Sequence, residues 1–169
     1  MEQKLLKLRP FLPADQTRIL EAVTSTKVNQ TYMLPDYEKM EDAIPLFERL
    51  SKLSQDSSRF VRCIDVDGQA VGFLNDVEIK DGAIELGYVI HPEYHNCGYM
   101  TQALSLAIKE LFEKEYRCII CGAFEENKAS QRVMEKCGLV RVAHTDAIEY
   151  RGTIHNCVYY VTRNEASSC

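Results

Sequence analysis

The stretch Ile84-Glu-Leu-Gly-Tyr-Val-Ile-His-Pro-Glu-Tyr-His-Asn-Cys-Gly-Tyr-Met-Thr-Gln-Ala-Leu104 decides how this chain is read. Its first eight residues have the β-branched and aromatic content of a strand. A polar loop closed by Gly98 follows, and then the period changes. Met100, Ala103, Leu104, Ala107, Ile108 and Leu111 recur at helical spacing, predicting a helix over Thr101 to Phe112. A strand that runs through a short loop into a long helix leaves the amide groups of the first helical turn without partners. They sit at the positive end of the helix dipole. Gly98 lets the backbone approach a ligand closely, so the physics is that of a cradle for phosphate. The sequence is neither a P-loop nor GxGxxG, so ATP and dinucleotide sites lack their signatures.

Outward from this stretch the elements are legible. Leu5 to Phe11 alternates as a strand, and Pro13 to Asp15 leads into a helix over Gln16 to Ser25. Asp36 is expected to cap a second helix, whose stripe is Met40, Ala43, Phe47, Leu50 and Leu53. A three-strand meander follows: Phe60 to Asp65, Ala70 to Ile79 and Ile84 to His91, turned at Asp67-Gly68 and Asp81-Gly82. Beyond the central helix come a buried strand, Cys118 to Phe124, and a helix from about Asn127 to Lys136 closed by Gly138. Two last strands, Leu139 to Ala143 and Cys157 to Val161, are expected to flank a polar loop. The order predicts an α/β (α+β) layer, with helices packed on a mixed, mostly antiparallel sheet.

Composition narrows the function. At 169 residues the chain is read as one domain, 1–169 with a core of about 5–162. Its net charge of −5 argues against a nucleic-acid footprint. No apolar run reaches the ~18 residues of a membrane span, and Met1 to Pro10 lacks a signal peptide's apolar stretch, so the cytoplasm is expected. Seven cysteines in such a chain are read as reduced thiols. Cys118 and Cys121 form the only CxxC, but on a strand they face opposite ways, and no second pair follows at zinc spacing. No metal is expected.

A second segment, Phe124-Glu-Glu-Asn-Lys-Ala-Ser-Gln-Arg-Val-Met-Glu-Lys-Cys-Gly-Leu139, places Asn127 at a helix N-cap and Ser130 in the first turn. If both strand ends open on the same sheet edge, these residues face the same crevice as His95 to Gly98. With both segments in hand, Tyr94 to Leu104 resembles the acetyl-CoA motif of the GNAT N-acetyltransferases, and Asn127 to Leu139 resembles their next motif. Glu85-Leu-Gly-Tyr88, His91-Pro-Glu-Tyr94 and His155-Asn-Cys-Val-Tyr-Tyr160 are similar to the RimJ/RimL branch of ribosomal-protein acetylases. The resemblance covers about Leu5 to Thr162.

The resemblance implies the GNAT fold, splayed between the third meander strand and the next, with acetyl-CoA as cosubstrate. The backbone of Val89 and Ile90 would pair with the pantetheine arm. Amides of His95, Asn96, Cys97, Gly98, Tyr99, Met100 and Thr101 would hold the pyrophosphate. Asn127 would hydrogen-bond pantetheine. Ser130 would lie by the sulfur and bond or protonate the leaving thiolate, and Tyr160 is the other residue suited to that task. The catalytic set is Glu85, Ser130 and Tyr160, with Glu85 as the base that relieves an amine of its proton before attack. Asp76 and Glu78 are the weaker carboxylates. An oxyanion would form on the thioester carbonyl beside a backbone N–H of the third meander strand. Relatives usually carry Gln or Arg at His95, Lys at Cys97 and Gly or Ala at Met100, so this cradle has lost fixed positive charge. Asn156 stands where relatives often have Asp. His144 and His155 lie within reach of an acceptor. The partner expected is a small-molecule or peptide amine, taken by a monomer or homodimer, and the residues meeting it are expected on the first two helices and the Asp146-to-Ile154 loop. The rival is a module that binds acyl-CoA or a peptide without turnover.

Overall fold

The computed structural model describes residues 4–165. Seven strands form a sheet in the order β1-β2-β3-β4-β5-β7-β6. They are β1 (Leu6–Arg9), β2 (Val61–Val66), β3 (Gln69–Lys80), β4 (Ala83–Ile90), β5 (Cys118–Phe124), β6 (Val140–Tyr150) and β7 (Thr153–Arg163). The helices are α1 (Gln16–Val23), α2 (Thr26–Asn29), α3 (Ile44–Ser54), α4 (Tyr99–Glu113) and α5 (Lys128–Lys136). By contacts the chain divides into two compact units. One is the chain up to Asn75 with Tyr88–Ala103; the other is Asp76–Gly87 with everything from Leu104 onward. β3, β4 and α4 each run through both.

In the first unit β1, β2 and β3 pair antiparallel, with Leu8↔Ile64 and Cys63↔Phe73 in register. Asp67 and Gly68 take φ of 53° and 86°, the pair of left-handed residues a type I′ hairpin needs. The core gathers one side of the strands with the helices: Phe11, Ile19, Phe47, Leu50, Phe73 and Val89 are all buried. Phe11 meets Phe47 edge-on at 5.7 Å, a geometry favoured by the ring quadrupoles. Arg9 ties β1 inward. Its guanidinium donates to both oxygens of Asp15 at 2.8 and 2.9 Å and to Asp65 at 2.6 Å. A fork of fixed donors suits two carboxylates better than an ammonium would.

The expected second helix is shorter than its apolar stripe suggested, and Asp36 does not cap it. A 3-10 turn, Met40–Ala43, comes first, with the Asp42 carboxylate accepting from the Lys39 N–H at 3.0 Å. α3 then starts at Ile44 with Pro45 in its first turn, where a missing N–H costs nothing.

In the second unit β4 runs parallel to β5, pairing Ala83–Leu86 with Cys118–Cys121. β7 inserts antiparallel between β5 and β6, pairing Cys121 with Tyr160 and Cys157 with Asp146. The two faces differ sharply. Ile84, Leu86, Ile119 and Cys121 point one way and are wholly buried, as are Leu104, Ala107 and Leu111 of α4. Glu85, Ile120, Gly122 and Tyr159 point the other way and stay partly exposed. The expected polar loop from Asp146 to Ile154 is instead the tip of the β6–β7 hairpin. Strand pairing continues to Tyr150↔Thr153, and only Arg151 and Gly152, at φ 52° and 76°, make the turn. Arg-Gly is a weaker hairpin signal than Asn-Gly or Asp-Gly, so polar residues at both flanks read as loop.

No helix among the described residues is long and apolar enough to cross a membrane. Cys63, Cys97, Cys118, Cys121, Cys137 and Cys157 are thiols; Cys169 lies outside the described residues. Burial pushes the Cys63 thiol up to about 12.

Candidate active site

The loop between β4 and α4 is built in the first unit. At the end of β4 the His91 N–H donates to Val71 O at 2.8 Å. The His91 ring accepts from the Glu93 N–H through Nδ1, so its proton sits on Nε2 and is donated to Glu21 at 3.1 Å. Arg18 of α1 bonds Glu93 at 3.0 Å and the Tyr94 hydroxyl at 3.2 Å, and that hydroxyl donates to Gln69 at 2.7 Å. The turn Pro92–Tyr94 is thus clamped from α1 and β3. His91 ends the strand, as expected, and its ring is spent on this clamp.

Next comes the cradle. Asn96 and Gly98 adopt φ of 59° and 77°, and Cys97 between them is exposed. A Cβ on Gly98 would meet nothing within 4 Å. What requires glycine here is therefore backbone conformation, and the space above it is open. Tyr99, Met100 and Thr101 form the first turn of α4, at the positive end of the helix dipole. The Met100 side chain is buried at 9 %, part of the apolar stripe, so only its backbone is available to a ligand.

Three details refine the expected cofactor residues. The His95 N–H donates to Pro92 O at 3.2 Å, so the candidate amides begin at Asn96. The His95 ring turns back and donates through Nε2 to Ile90 O at 2.8 Å. Burial lowers its basicity, so the ring stays neutral to lower pH than an ordinary histidine. The Val89 carbonyl lies against Gly72, where a Cβ would stand 2.1 Å from it. Both carbonyls of the Val89–Ile90 edge therefore already have close neighbours.

The second unit holds the remaining predicted residues. Asn127 caps α5, its Oδ1 accepting from the Ser130 N–H at 3.1 Å. Such a cap typically contributes about 1 kcal/mol. Gln131 fixes the preceding turn by donating to Glu125 O at 2.8 Å. His155 stacks on Phe124 at 4.2 Å and holds Glu126 through its Nδ1. Tyr160 is buried, and its hydroxyl bonds Gln131 and Glu135 of α5, each at 3.2 Å. Burial and the Glu135 carboxylate raise that phenol, so it releases its proton reluctantly.

Glu85 lies in the interior of the sheet, half-buried, beside Ile120 in register. Burial first, and then the charges of Glu78 and Asp146, hold its carboxyl above the ordinary range. A carboxylate so raised is a better proton acceptor than a solvated one. Of the alternatives, Asp76 is buried and Glu78 exposed. His144 sits on β6, bonded to Asp146 at 3.3 Å.

Sequence reasoning missed a group beside Glu85. Gly122 leaves its face of β5 bare, the Tyr159 ring lies over it, and the Tyr159 hydroxyl donates to Asp146 at 2.8 Å. The available signal was a glycine inside a strong strand, which marks close approach by another group.

Comparison with known proteins places this geometry in a family. The acetyltransferase (GNAT) domain family matches residues 6–140. No curated protein matches the chain. Among solved structures, RimL, the ribosomal L7/L12 α-N-protein acetyltransferase in complex with coenzyme A, superposes with a TM-score of 0.83 at 20 % identity over 96 % of both chains. A GNAT-family acetyltransferase from Bacillus anthracis gives 0.81 at 22 %, again over 96 % of both chains. Spermidine N-acetyltransferase from Vibrio cholerae, in complex with CoA and spermine, gives 0.78 at 18 %, over 94 % of this chain and 95 % of that one. Identities this low speak for the fold, and the family match, which spans well over half of the sequence, speaks for the rest: the chain belongs to the GNAT family of acetyltransferases.

Proposed function

We propose that this protein is an acetyl-CoA-dependent N-acetyltransferase of the RimJ/RimL type, a single GNAT domain of about residues 5–162 acting in the cytoplasm. It acetylates a primary amine, on a protein N-terminus or a small molecule, by direct attack in a ternary complex. The observation that carries this is the open, left-handed Asn96-to-Gly98 loop feeding a 15-residue helix, inside a family match over residues 6–140. Such a loop suits pyrophosphate, because the positive end of the helix dipole lies there and no side chain fills the space over Gly98.

Acetyl-CoA supplies an acetyl group activated as a thioester. The chain's own residues do the rest. The Val89–Ile90 backbone holds the pantetheine arm, assisted by Asn127. Glu85 accepts the proton that an ammonium acceptor must lose, a task its raised basicity suits. The Ser130 hydroxyl donates a hydrogen bond to the departing sulfur. Tyr160, whose hydroxyl bonds Gln131 and Glu135, is the other candidate for that step. Holding both substrates replaces a bimolecular encounter and supplies further rate.

The test is free-thiol release from acetyl-CoA in the presence of spermidine, an Ala-initiated peptide and a Ser-initiated peptide, alongside thermal-shift titrations with acetyl-CoA and ATP. Acetyl-CoA binds only the native state and is expected to raise the melting temperature, with amine-dependent thiol release. Stabilisation without release from any amine would instead favour a non-catalytic acyl-CoA-binding module. Stabilisation by ATP alone would sink both.

A further inference from the structure

We propose that Tyr159 sets the selectivity of this enzyme for its acceptor, as a fixed aromatic wall over the glycine floor beside Glu85. The proposal rests on the N-acetyltransferase reading above and names a residue that determines what that reaction accepts.

The argument starts from register. In the second unit Glu85 pairs with Ile120, Ile120 with Val161, and Gly122 with Tyr159. Cys157 lies opposite both Phe124 and Asp146. Side chains two apart share a face, so Glu85, Gly122, Tyr159, Cys157 and Asp146 project on the same side of the sheet. That is the partly exposed side, whereas the other carries Ile84, Leu86, Ile119 and Cys121 in a closed core.

Gly122 is what lets Tyr159 lie down. A Cβ there would stand 2.9 Å from Cε1 and 3.2 Å from Cδ1 of the ring, and 3.4 Å from the Cys157 sulfur. The ring therefore fills the space that a side chain on β5 would take. It is fixed at its far end as well. The hydroxyl donates to Asp146 Oδ2 at 2.8 Å, and that carboxylate also takes the His144 Nε2–H at 3.3 Å. The His144 ring flanks Tyr159 with centroids 5.3 Å apart. Gripped at both ends, the aromatic keeps one position at little cost in side-chain freedom.

Chemistry then separates wall from catalyst. Burial, together with the Asp146 carboxylate as acceptor, pushes the Tyr159 phenol far above its ordinary range, so it neither gives up a proton nor takes one at neutral pH. Asp146 is held below the usual carboxylate range by that same hydrogen bond, and remains an anion. Tyr159 thus offers shape, and Asp146 is the positioning residue that holds the shape. An amine delivering its proton to Glu85 across this face has the flat of the ring as its neighbour. Aromatic walls discriminate by volume, at about tenfold or more for a methylene of misfit.

The experiment measures kcat/KM for three probes of rising bulk, ethanolamine, spermidine and a Ser-Ala-Ala peptide, at saturating acetyl-CoA. Tyr159→Ala removes the wall and is expected to shift the ratios toward the bulkier probes by about tenfold. Its acetyl-CoA dissociation constant stays within about twofold of wild type. Tyr159→Phe keeps the ring and should keep the ratios. Gly122→Ala lifts the ring and should move the ratios the opposite way, which keeps the proposal testable should Tyr159→Ala fail to fold. Unchanged ratios in a folded Tyr159→Ala or Gly122→Ala protein, or a uniform loss across all three probes, overturn the proposal and leave the acetyltransferase reading standing. A wild-type protein that acetylates none of the probes overturns both.

Discussion

Replacing Gly72 by alanine puts a methyl group into the backbone of β4. Its Cβ would stand 2.1 Å from the Val89 carbonyl oxygen, 3.0 Å from the Ile90 Cα and 3.1 Å from the Val89 carbonyl carbon. All three are main-chain atoms, so no rotamer relieves the clash. Reaching even a 3.0 Å contact from 2.1 Å requires the Val89 carbonyl to retreat by 0.9 Å. Overpacking of this kind typically costs about 1–3 kcal/mol. The loss of unfolded-state freedom on going from glycine to alanine returns about 0.4–1 kcal/mol, which leaves a net loss of up to about 2.6 kcal/mol. For a chain of this size each kcal/mol lowers the melting temperature by ~2–4 °C, so a fall of up to about 10 °C is expected. The functional effect follows from the same displacement. A hydrogen bond made near 2.9 Å and stretched by that much is no longer a hydrogen bond. Losing one or two such bonds from the Val89–Ile90 edge to pantetheine, at ~0.5–1.5 kcal/mol each, weakens acetyl-CoA binding by about 2- to 150-fold. Thermal unfolding and calorimetric titration with acetyl-CoA measure both effects. Gly68→Ala is the control: its Cβ meets nothing within 4 Å, so it strains only a hairpin turn and should leave affinity unchanged. A Gly72→Ala protein with wild-type melting temperature and wild-type affinity would refute the reasoning.

Glu85→Gln is expected to slow transfer, most of all near pH 6, where the acceptor amine arrives protonated; a pH-independent ratio to wild type removes Glu85 as base. The same variant should be more stable than wild type at neutral pH. The folded-state pKa of Glu85 is raised, so its charge opposes folding above that pKa, and the gain should vanish below the ordinary carboxylate range. Ser130→Ala is expected to lower kcat at least about tenfold with little loss of stability, because the cap on α5 uses the Ser130 backbone N–H and survives the change. Unchanged kcat would dismiss the hydroxyl. Cys97→Lys restores a cation to the exposed cradle and should tighten acetyl-CoA binding by ~1.6- to 5-fold, fading as salt rises. Equal affinity at low salt would mean that position 97 does not face the phosphates.

Legibility in the sequence followed the strength of local signals. The two Asp-Gly turns at 67–68 and 81–82, the period change at Met100 and the glycine stop at Gly138 each have a short-range physical cause, and each stands where expected. Where tertiary contacts choose between options, reading failed. Asp36 looked like a cap, but a 3-10 turn with its own acceptor at Asp42 begins the helix. The hairpin tip from Asp146 to Ile154 is held by pairing with its partner strand, and no composition rule shows that. The candidate site divides the same way. Asn127 at its N-cap and Gly98 ahead of α4 were readable from position within their elements, whereas Glu85 was singled out through the family resemblance. The turning of His95 toward Ile90, the engagement of Tyr160 by α5 and the seat of Tyr159 on Gly122 are set by neighbours distant in sequence.

β7 lies between β5 and β6 although both precede it in the chain. During synthesis on the ribosome, then, Cys118–Phe124 must wait with one edge uncovered until Thr153–Arg163 has emerged. That segment is a seven-residue, largely apolar strand with no charge and no proline, the composition that pairs readily with copies of itself. At translation speeds of ~5–20 residues per second the wait lasts a few seconds, long enough for a chaperone to matter. A premature stop at Arg151 would make the wait permanent. Such a chain would keep the cofactor loop and every proposed catalytic residue except Tyr160, yet carry a sticky open edge through its core, and its fate would be aggregation before any loss of chemistry was felt.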